Sequence, residues 1–314
     1  MKRVLPKPAR ANKYMSLICG YNFAMGTNLS ECEPMRFRGR TVEPGAGPFL
    51  MGILNVTPDS FSDGGQYATV NAAVEAGCRM ADEGADAIDV GGESTRPGSK
   101  PVSAQEQIRR VLPVVAELSR RFGATGPAIS IDCRLASVAE ATLSAGASVI
   151  NDISALRDDS TLAKVVARHH AGLVLMHMQN SPADMQAEPT YRDVVAEVHA
   201  FLAERVESAL AAGIARNRLM IDPGIGFGKT ATHNLELLNR LDSFRDLGLP
   251  MLVGPSRKRF IAEVTGATAI ADRLPGTIAA VSACVLAGVE IIRVHDVLAC
   301  RRAADLCAAI RSSQ

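Results

Sequence analysis

From residue 49 onward one pattern of apolar and polar positions recurs along the chain. A stretch of helical periodicity closes on a glycine, a short run of Ile, Val and Leu follows, and the run stops at a polar side chain. The unit can be followed through "EGADAIDVGG" (83 to 92), "AGASVINDIS" (145 to 154), "HAGLVLMHM" (170 to 178) and "AGVEIIRVHD" (287 to 296). Gly84, Gly146, Gly172 and Gly288 stand where a helix C′ residue takes the left-handed conformation. Apolar runs without strict alternation suit parallel strands buried on both faces. "FLMGILNV" (49 to 56), "PAISID" (127 to 132), "RLMIDP" (218 to 223) and "PMLVGPS" (250 to 256) bring the strands to eight. Helices are predicted near 70 to 82, 104 to 121, 135 to 145, 160 to 169, 191 to 212, 232 to 241, 258 to 266, 272 to 287 and 297 to 310. Strict alternation with eight strands reads as an α/β chain folded into a (β/α)8 TIM barrel, with a doubly wound open sheet as the alternative.

Composition narrows the picture. The 314 residues leave room for one such barrel, which needs about 250. Hydrophobic content of 47% with 21% charged residues excludes a chain disordered throughout. Net charge is +1 with no long basic run, so neither nucleic acid nor a membrane surface is the expected partner; a small molecule is. Seven cysteines at 19, 32, 78, 133, 284, 300 and 307 are scattered and never form C-x-x-C, which points to reduced thiols in a cytoplasm. No stretch of about 18 apolar residues could span a membrane. Residues 1 to 34 show weak periodicity and no usable signal-peptide core; they are expected to be an extension or leader before a barrel domain over 35 to 314.

The strand ends carry candidate chemistry. They are Asn55, Asp89, Asp132, Asn151 with Asp152, His177, Asp222, Ser256, and Arg293 with His295. One polar residue after an apolar run usually just begins a loop. Eight converging on the C-terminal mouth of a barrel make the default substrate site. The loops "TPDSFSDGG" (57 to 65) and "GGESTRPGSK" (91 to 100) are polar and glycine-rich enough to fold over a ligand. Ser256, Arg257 and Lys258, with Arg293 and His295, are expected to form a cationic wall suited to a polyphosphate. "IDPGIGFGKT" (221 to 230) suggests a phosphate loop, but Pro223 stands where a P-loop needs its first glycine, and the Rossmann spacing fails as well. Lys229 and Thr230 are therefore expected past a turn, at the start of a helix. These readings reach a barrel enzyme but no substrate.

"MGILNVTPDSFSDGG", "GADAIDVGGESTRPGS", "SIDC", "INDI", "LMHMQ", "DPGIGFGKT", "GPSRKRF" and "IIRVHD" occur in this order and together closely resemble the dihydropteroate synthase family, over roughly residues 35 to 312. The resemblance implies a TIM barrel that joins 6-hydroxymethyl-7,8-dihydropterin pyrophosphate to 4-aminobenzoate. Pyrophosphate would leave and 7,8-dihydropteroate would form, through a carbocation at the pterin methylene. By similarity Asp222 and Asn151 hold the pterin edge, with Asp132, Lys258 and Phe227 against the ring. Asn55, Thr95, Arg293 and His295 would meet the pyrophosphate, with one Mg²⁺ on Asn55. Phe61, Thr95, Pro97, Ser256 and Lys258 would form the aminobenzoate pocket, which sulfonamides mimic their way into in this family. Asn55, Asp132, Lys258, Arg293 and His295 would be the catalytic set, with Asp89 helping to favour positive charge on the pterin. A homodimer through the late helices is also implied. Two positions depart from the usual pattern: Cys133-Arg134 stand where a small hydroxylated residue is common, and Asn180 replaces the glycine usual after "HMQ". The rival readings are the pterin-binding barrel of methyltetrahydrofolate methyltransferases, which leaves "GGESTRPGS" unexplained, and a catalytically silent pterin-binding barrel, which has no need of Asn55, Arg293 and His295.

Overall fold

The computed structural model describes residues 35–37, 40–42, 48–57, 65–94, 99, 101–182 and 184–313. The expected extension at 1 to 34, Phe61, Thr95 and Pro97, and most of the two glycine-rich loops lie outside them. The chain opens on a ribbon absent from the expected pattern: β1 (Met35–Phe37) pairs antiparallel with β2 (Arg40–Val42). Strands this short carry too few residues to show a period.

The repeated unit follows as β3 (Phe49–Asn55), α1 (Gly65–Asp82), β4 (Ala87–Gly91), α2 (Ala104–Phe122), β5 (Ala128–Asp132), α3 (Ala136–Ser144), β6 (Val149–Asp152) and α4 (Leu162–Arg168). It continues as β7 (Gly172–Met176), α5 (Val194–Ala211), β8 (Leu219–Asp222), α6 (Ala231–Asn239), β9 (Leu252–Val253), α7 (Arg259–Thr265), α8 (Leu274–Leu286), β10 (Ile291–Val294) and α9 (Val297–Ser312). All pairs in the eight-stranded sheet are parallel, in the order β8-β7-β6-β5-β4-β3-β10-β9. The two ends meet through a parallel bridge between Ile221 and Met251, and the Ile221 N–H donates to the Pro250 carbonyl at 3.1 Å. The sheet is thus a closed barrel and not an open doubly wound one.

Most element boundaries agree with the pattern, and the departures have local causes. β9 is two residues long because Pro250 lacks an N–H and Gly254-Pro255 follow at once. Helix α1 starts five residues before the predicted position, through a Gly-Gln-Tyr segment without apolar periodicity. Gly84, Gly146 and Gly288 take the expected positive φ, but Gly172 does not: it opens β7, and His170 turns the chain instead at φ 51°. Imidazole is among the side chains that tolerate this region better than most.

Helix α2 shows how the outer layer forms. Ser103 caps it by accepting from the Glu106 N–H, and Gln107, Val111, Val114, Val115 and Leu118 bury one stripe. Arg120 and Arg121 pair with Glu117 on the solvent side. That stripe packs on the outward residues of the strands, including Ile88, Val90, Ile129 and Ile131, each worth about 1.5–3 kcal/mol when fully buried.

Inside the barrel the pleat sets two levels. Phe49, Met51, Ala87, Ala128, Val149, Val174, Met220, Leu252 and Ile291 form one apolar layer, which Val42 of the ribbon joins. Side chains alternate along a strand, so moving two residues toward the C-terminal end stays on the inner face. That step turns Ala87 into Asp89, Ala128 into Ser130, Val149 into Asn151, Met220 into Asp222 and Ile291 into Arg293. A dry floor therefore lies beneath a polar layer at the mouth.

Candidate active site

The polar layer is organised around Arg293. Its Nε donates to Asp89 Oδ2 at 2.7 Å and its Nη2 to Asp132 Oδ2 at 2.9 Å, so one guanidinium fork spans β4 and β5 from β10. Asn151 Nδ2 donates to the same Asp89 oxygen at 3.0 Å. Asp89 is fully buried, and its Oδ1 and the Ser130 hydroxyl beside it have no hydrogen-bond partner among the described residues. Burial pushes the Asp132 carboxyl up to about 7, with Asp89 and Glu93 adding to the effect and Arg293 and Arg134 opposing it.

Across the mouth, Asp222 ends β8 and is also buried. Burial raises it to about 6, while the Gly224 N–H, which it accepts at 2.7 Å, and the nearby cations pull the other way. The chain then turns sharply through Gly224 at φ 69°, where a Cβ would stand 1.8 Å from the His177 carbonyl oxygen. Phe227 faces Lys258, whose Nζ lies 3.9 Å from the ring centroid. Burial lowers Lys258 to about 7, helped by Arg293. Asp222, Asn151 and Asp132 thus stand at one end of the barrel, as the strand-end reading expected, and the Phe227–Lys258 pair joins them there.

The anticipated cationic wall is different in kind. Arg257 is held in the left-handed region at φ 58° and paired in a fork to Asp296 at 2.6 and 3.0 Å. Arg293 is already shared by two carboxylates. Burial lowers His295 to about 3, with Arg293 adding to the shift, so the imidazole is neutral. The Ser256 hydroxyl lies 3.0 Å from His295 Nδ1 and accepts the His295 backbone N–H at 3.2 Å. The hydroxyl and Nδ1 share a hydrogen bond that fixes the orientation of the imidazole ring. The wall is a set of oriented donors, not a field of unpaired charge. Thr95, expected at the pyrophosphate, and Phe61 and Pro97 of the neighbouring pocket lie outside the described residues.

Sequence reasoning missed Lys229 most clearly. Thr230 does cap α6, in a reciprocal box with His233, as expected of a helix start. Lys229 is buried, with its ammonium turned back under the glycine turn. His177 is buried beside it and lowered to about 2, by burial first and then by Lys229, so it stays neutral. Asp152 also leaves the site reading: its carboxylate accepts from Ser154 and Leu156 and shapes the loop after β6.

Residues 51–295 match the family described as pterin binding enzyme. The dihydropteroate synthase of Neisseria meningitidis serogroup C is 44% identical over 255 residues, covering 80% of this chain and 89% of that relative. A Xanthomonas albilineans dihydropteroate synthase solved with 4-aminobenzoic acid superposes with a TM-score of 0.82 at 45% identity, covering 90% of this chain and 99% of that one. The same organism's enzyme in complex with 7,8-dihydropteroate gives 0.79 at 42% identity, covering 89% and 99%. The chain belongs to the dihydropteroate synthase family of pterin-binding enzymes.

Its two departures from the usual dihydropteroate synthase pattern now have physical content. Asn180 sits at φ 60°, a conformation glycine adopts freely and asparagine tolerates well, so the exchange brings little backbone strain. Cys133 is buried, and five cysteines among the described residues are free thiols. Arg134 forms ion pairs with Glu93, at 2.9 Å, and with Asp158. Glu93 in turn accepts the Val102 N–H at 2.9 Å, so Arg134 ties both stems of the segment between them to the loops after β5 and β6. Glu93 and Arg134 are both largely buried, at 11% and 20% side-chain exposure, which shields the pair from solvent screening.

Proposed function

We propose that the barrel mouth condenses 6-hydroxymethyl-7,8-dihydropterin pyrophosphate with 4-aminobenzoate, releasing pyrophosphate and forming 7,8-dihydropteroate. The observation that carries this reading is the buried carboxylate of Asp222 facing Asn151, Asp132 and the Phe227–Lys258 stack within one mouth. An aminopyrimidinone edge presents donors beside an acceptor, and a buried carboxylate with a buried amide is its complement. The Xanthomonas albilineans relatives, solved with 4-aminobenzoic acid and with 7,8-dihydropteroate, support the same substrates.

In this reading Asp222 and Asn151 grip the pterin edge, Lys258 meets the ring oxygen and Phe227 forms part of the floor. Arg293 and His295 receive the pyrophosphate with Asn55 and Thr95. As the C–O bond breaks, its electron pair leaves with pyrophosphate, and Arg293 meets the growing negative charge. Asp132 and Asp89 favour the positive charge left on the pterin methylene. The arylamine lone pair closes the new C–N bond and its proton passes to solvent, so no strong base is needed. Ser256 and Lys258 line the aminobenzoate side with Phe61, Thr95 and Pro97.

A hard divalent ion fits the donor set near β3. A Cβ at Gly91 would lie 3.7 Å from Asn55 Oδ1 and 3.9 Å from Asp132 Oδ2, so the missing side chain leaves room between two hard oxygens. No group of three or more His, Cys, Asp or Glu among the described residues forms a complete cage. Mg²⁺ held by Asn55, water and pyrophosphate would supply Lewis-acid stabilisation of the leaving group.

The same reading includes a homodimer and a cytoplasmic setting. Helix α9 buries Val297, Cys300, Ala304 and Cys307 inward and exposes Leu298, Leu306 and Ile310 on its other side, which suits a partner copy. No helix among the described residues is long and apolar enough to cross a membrane.

The deciding experiment incubates the protein with dihydropterin pyrophosphate, radiolabelled 4-aminobenzoate and Mg²⁺. Labelled dihydropteroate and stoichiometric pyrophosphate are expected; a folded protein yielding neither would refute the assignment. Arg134 offers a narrower check. Arg134→Ser should raise the KM for 4-aminobenzoate about five-fold, the equivalent of one part-buried ion pair of about 1 kcal/mol, and leave pterin affinity within two-fold. An unchanged KM would remove Arg134 from the loop's support.

A further inference from the structure

The lysine of "GFGKT" suggested a phosphate site, and its position under the glycine turn gives it another role. A phosphate loop points N–H groups at an anion. Here carbonyls converge on an amine: Lys229 Nζ donates to Gly224 O at 3.0 Å and to Phe227 O at 3.0 Å, and lies 2.9 Å from His177 Nδ1, while burial lowers the group to about 7 against the pull of Asp222. An ammonium only donates, so Nδ1 of the neutral His177 accepts, and the three N–H donors serve four acceptors, the fourth being His177 O at 3.4 Å.

The other carbonyls of the turn are held from outside. Gln186 Nε2 donates to Gly226 O at 2.9 Å and the Tyr191 hydroxyl to Gly228 O at 2.8 Å. The Gly226 N–H donates to Asn234 Oδ1 at 2.6 Å. Gly224 connects this clamp to the site, because its carbonyl accepts from Lys229 and its N–H donates to Asp222 Oδ1. Phe227 is the second connection: its carbonyl is held by Lys229 and its ring carries Lys258.

We propose that Lys229 is a positioning residue of the pterin site, an internal donor that gathers the carbonyls of the Gly224–Phe227 turn and so fixes Asp222 and Phe227, with Gln186 as an outer brace. It touches neither substrate. Methionine keeps the length of the chain but leaves the Gly224 and Phe227 carbonyls and His177 Nδ1 without their donor, so the barrel loses some stability and the turn loses the group that sets its shape. The inference rests on the assignment of Asp222 to the pterin.

The test compares Lys229→Met, Gln186→Ala and Asp222→Asn with the unmodified protein by calorimetric titration with dihydropterin pyrophosphate and by steady-state kinetics. Lys229→Met should weaken pterin affinity about ten-fold or more, while the KM for 4-aminobenzoate at saturating pterin stays within about two-fold. A Lys229→Met protein that melts cooperatively and binds pterin normally would overturn the proposal, as would an equal loss for both substrates. Should that variant fail to fold, Gln186→Ala decides: a pterin KM raised about three-fold with the arylamine KM unchanged is expected, and no change overturns the idea. Asp222→Asn separates the two levels. If it loses pterin while both turn variants keep it, only the clamp is refuted; if all three bind normally, the pterin site itself is misassigned.

Discussion

Asp222→Asn abolishes pterin binding and leaves a barrel at least as stable as the parent at neutral pH. The carboxylate is buried, and its Oδ1 already accepts the Gly224 N–H. The amide keeps the shape and can still accept from Gly224, but it brings two donors of its own against the donors of the pterin edge. Losing charge-assisted hydrogen bonds and leaving buried donors opposed costs about 3–4 kcal/mol, or roughly 100- to 1000-fold in affinity. Stability moves the other way. Burial raises this carboxyl from 3.8 to about 6, so between those values the native state holds a proton that the unfolded chain has released. Stability contributed by the group is therefore full below 3.8, falls as pH rises through the window, and stays reduced above about 6. The amide escapes that loss, so the variant's gain in melting temperature should appear above pH 6 and vanish near pH 4. In the unmodified enzyme, pterin-dependent turnover should fall below about pH 6 as Asp222 takes its proton. Calorimetric titration with dihydropterin pyrophosphate checks the affinity, and thermal melts across pH check the sign. A variant that binds pterin normally, or whose melting gain is independent of pH, would contradict the account.

Asp89, Asn151, Asp222 and Arg293 were legible because each stands one pleat step beyond an apolar residue on a strand with no other reason to become polar. Asp89 follows Ala87 and Arg293 follows Ile291 by the same step. What the pattern left out is who partners whom. Arg293 and Asp89 are 204 residues apart, and nothing local announces that the guanidinium is neutralised before any anion arrives. The expected cationic wall failed for that reason. Lys229 stands at the helix start as expected, but its direction was hidden: a glycine turn followed by lysine can aim either N–H groups or carbonyls inward, and only the backbone dihedrals decide. Pro223 excluded the phosphate loop without showing that the ammonium folds back under the turn. Gly172 and His170 show a third limit, since a left-handed residue two positions away leaves the same apolar run behind it. The β1–β2 ribbon showed no signal at all in three-residue strands, although Val42 joins the barrel floor.

Arg293→Met should damage stability and turnover together, and a second substitution should restore only the first. Without the guanidinium, the fully buried Asp89 keeps Asn151 as its single hydrogen-bond donor, and Asp132 loses the cation that most opposes its rise to about 7. Removing one partner of a buried pair costs about 3–5 kcal/mol, because the remaining charge is left uncompensated. The variant's escape is protonation. The Asp132 carboxyl then has a folded pKa still further above 3.8, so the variant should recover stability as pH falls and lose it as pH rises through neutrality. Turnover should drop about 100- to 1000-fold from the loss of an oriented donor at the leaving pyrophosphate. Asp89→Asn in the Arg293→Met background removes the unpaired charge while keeping the shape. Thermal melts of the double variant should return most of the lost stability, and release of pyrophosphate should remain near that of the single variant. If Asp89→Asn restored turnover along with stability, Arg293 would act only by holding the barrel layer together, and the pyrophosphate would have to meet other groups. If instead the single variant melted normally at every pH, the fork between Asp89 and Asp132 would not be the structural pivot that its geometry implies.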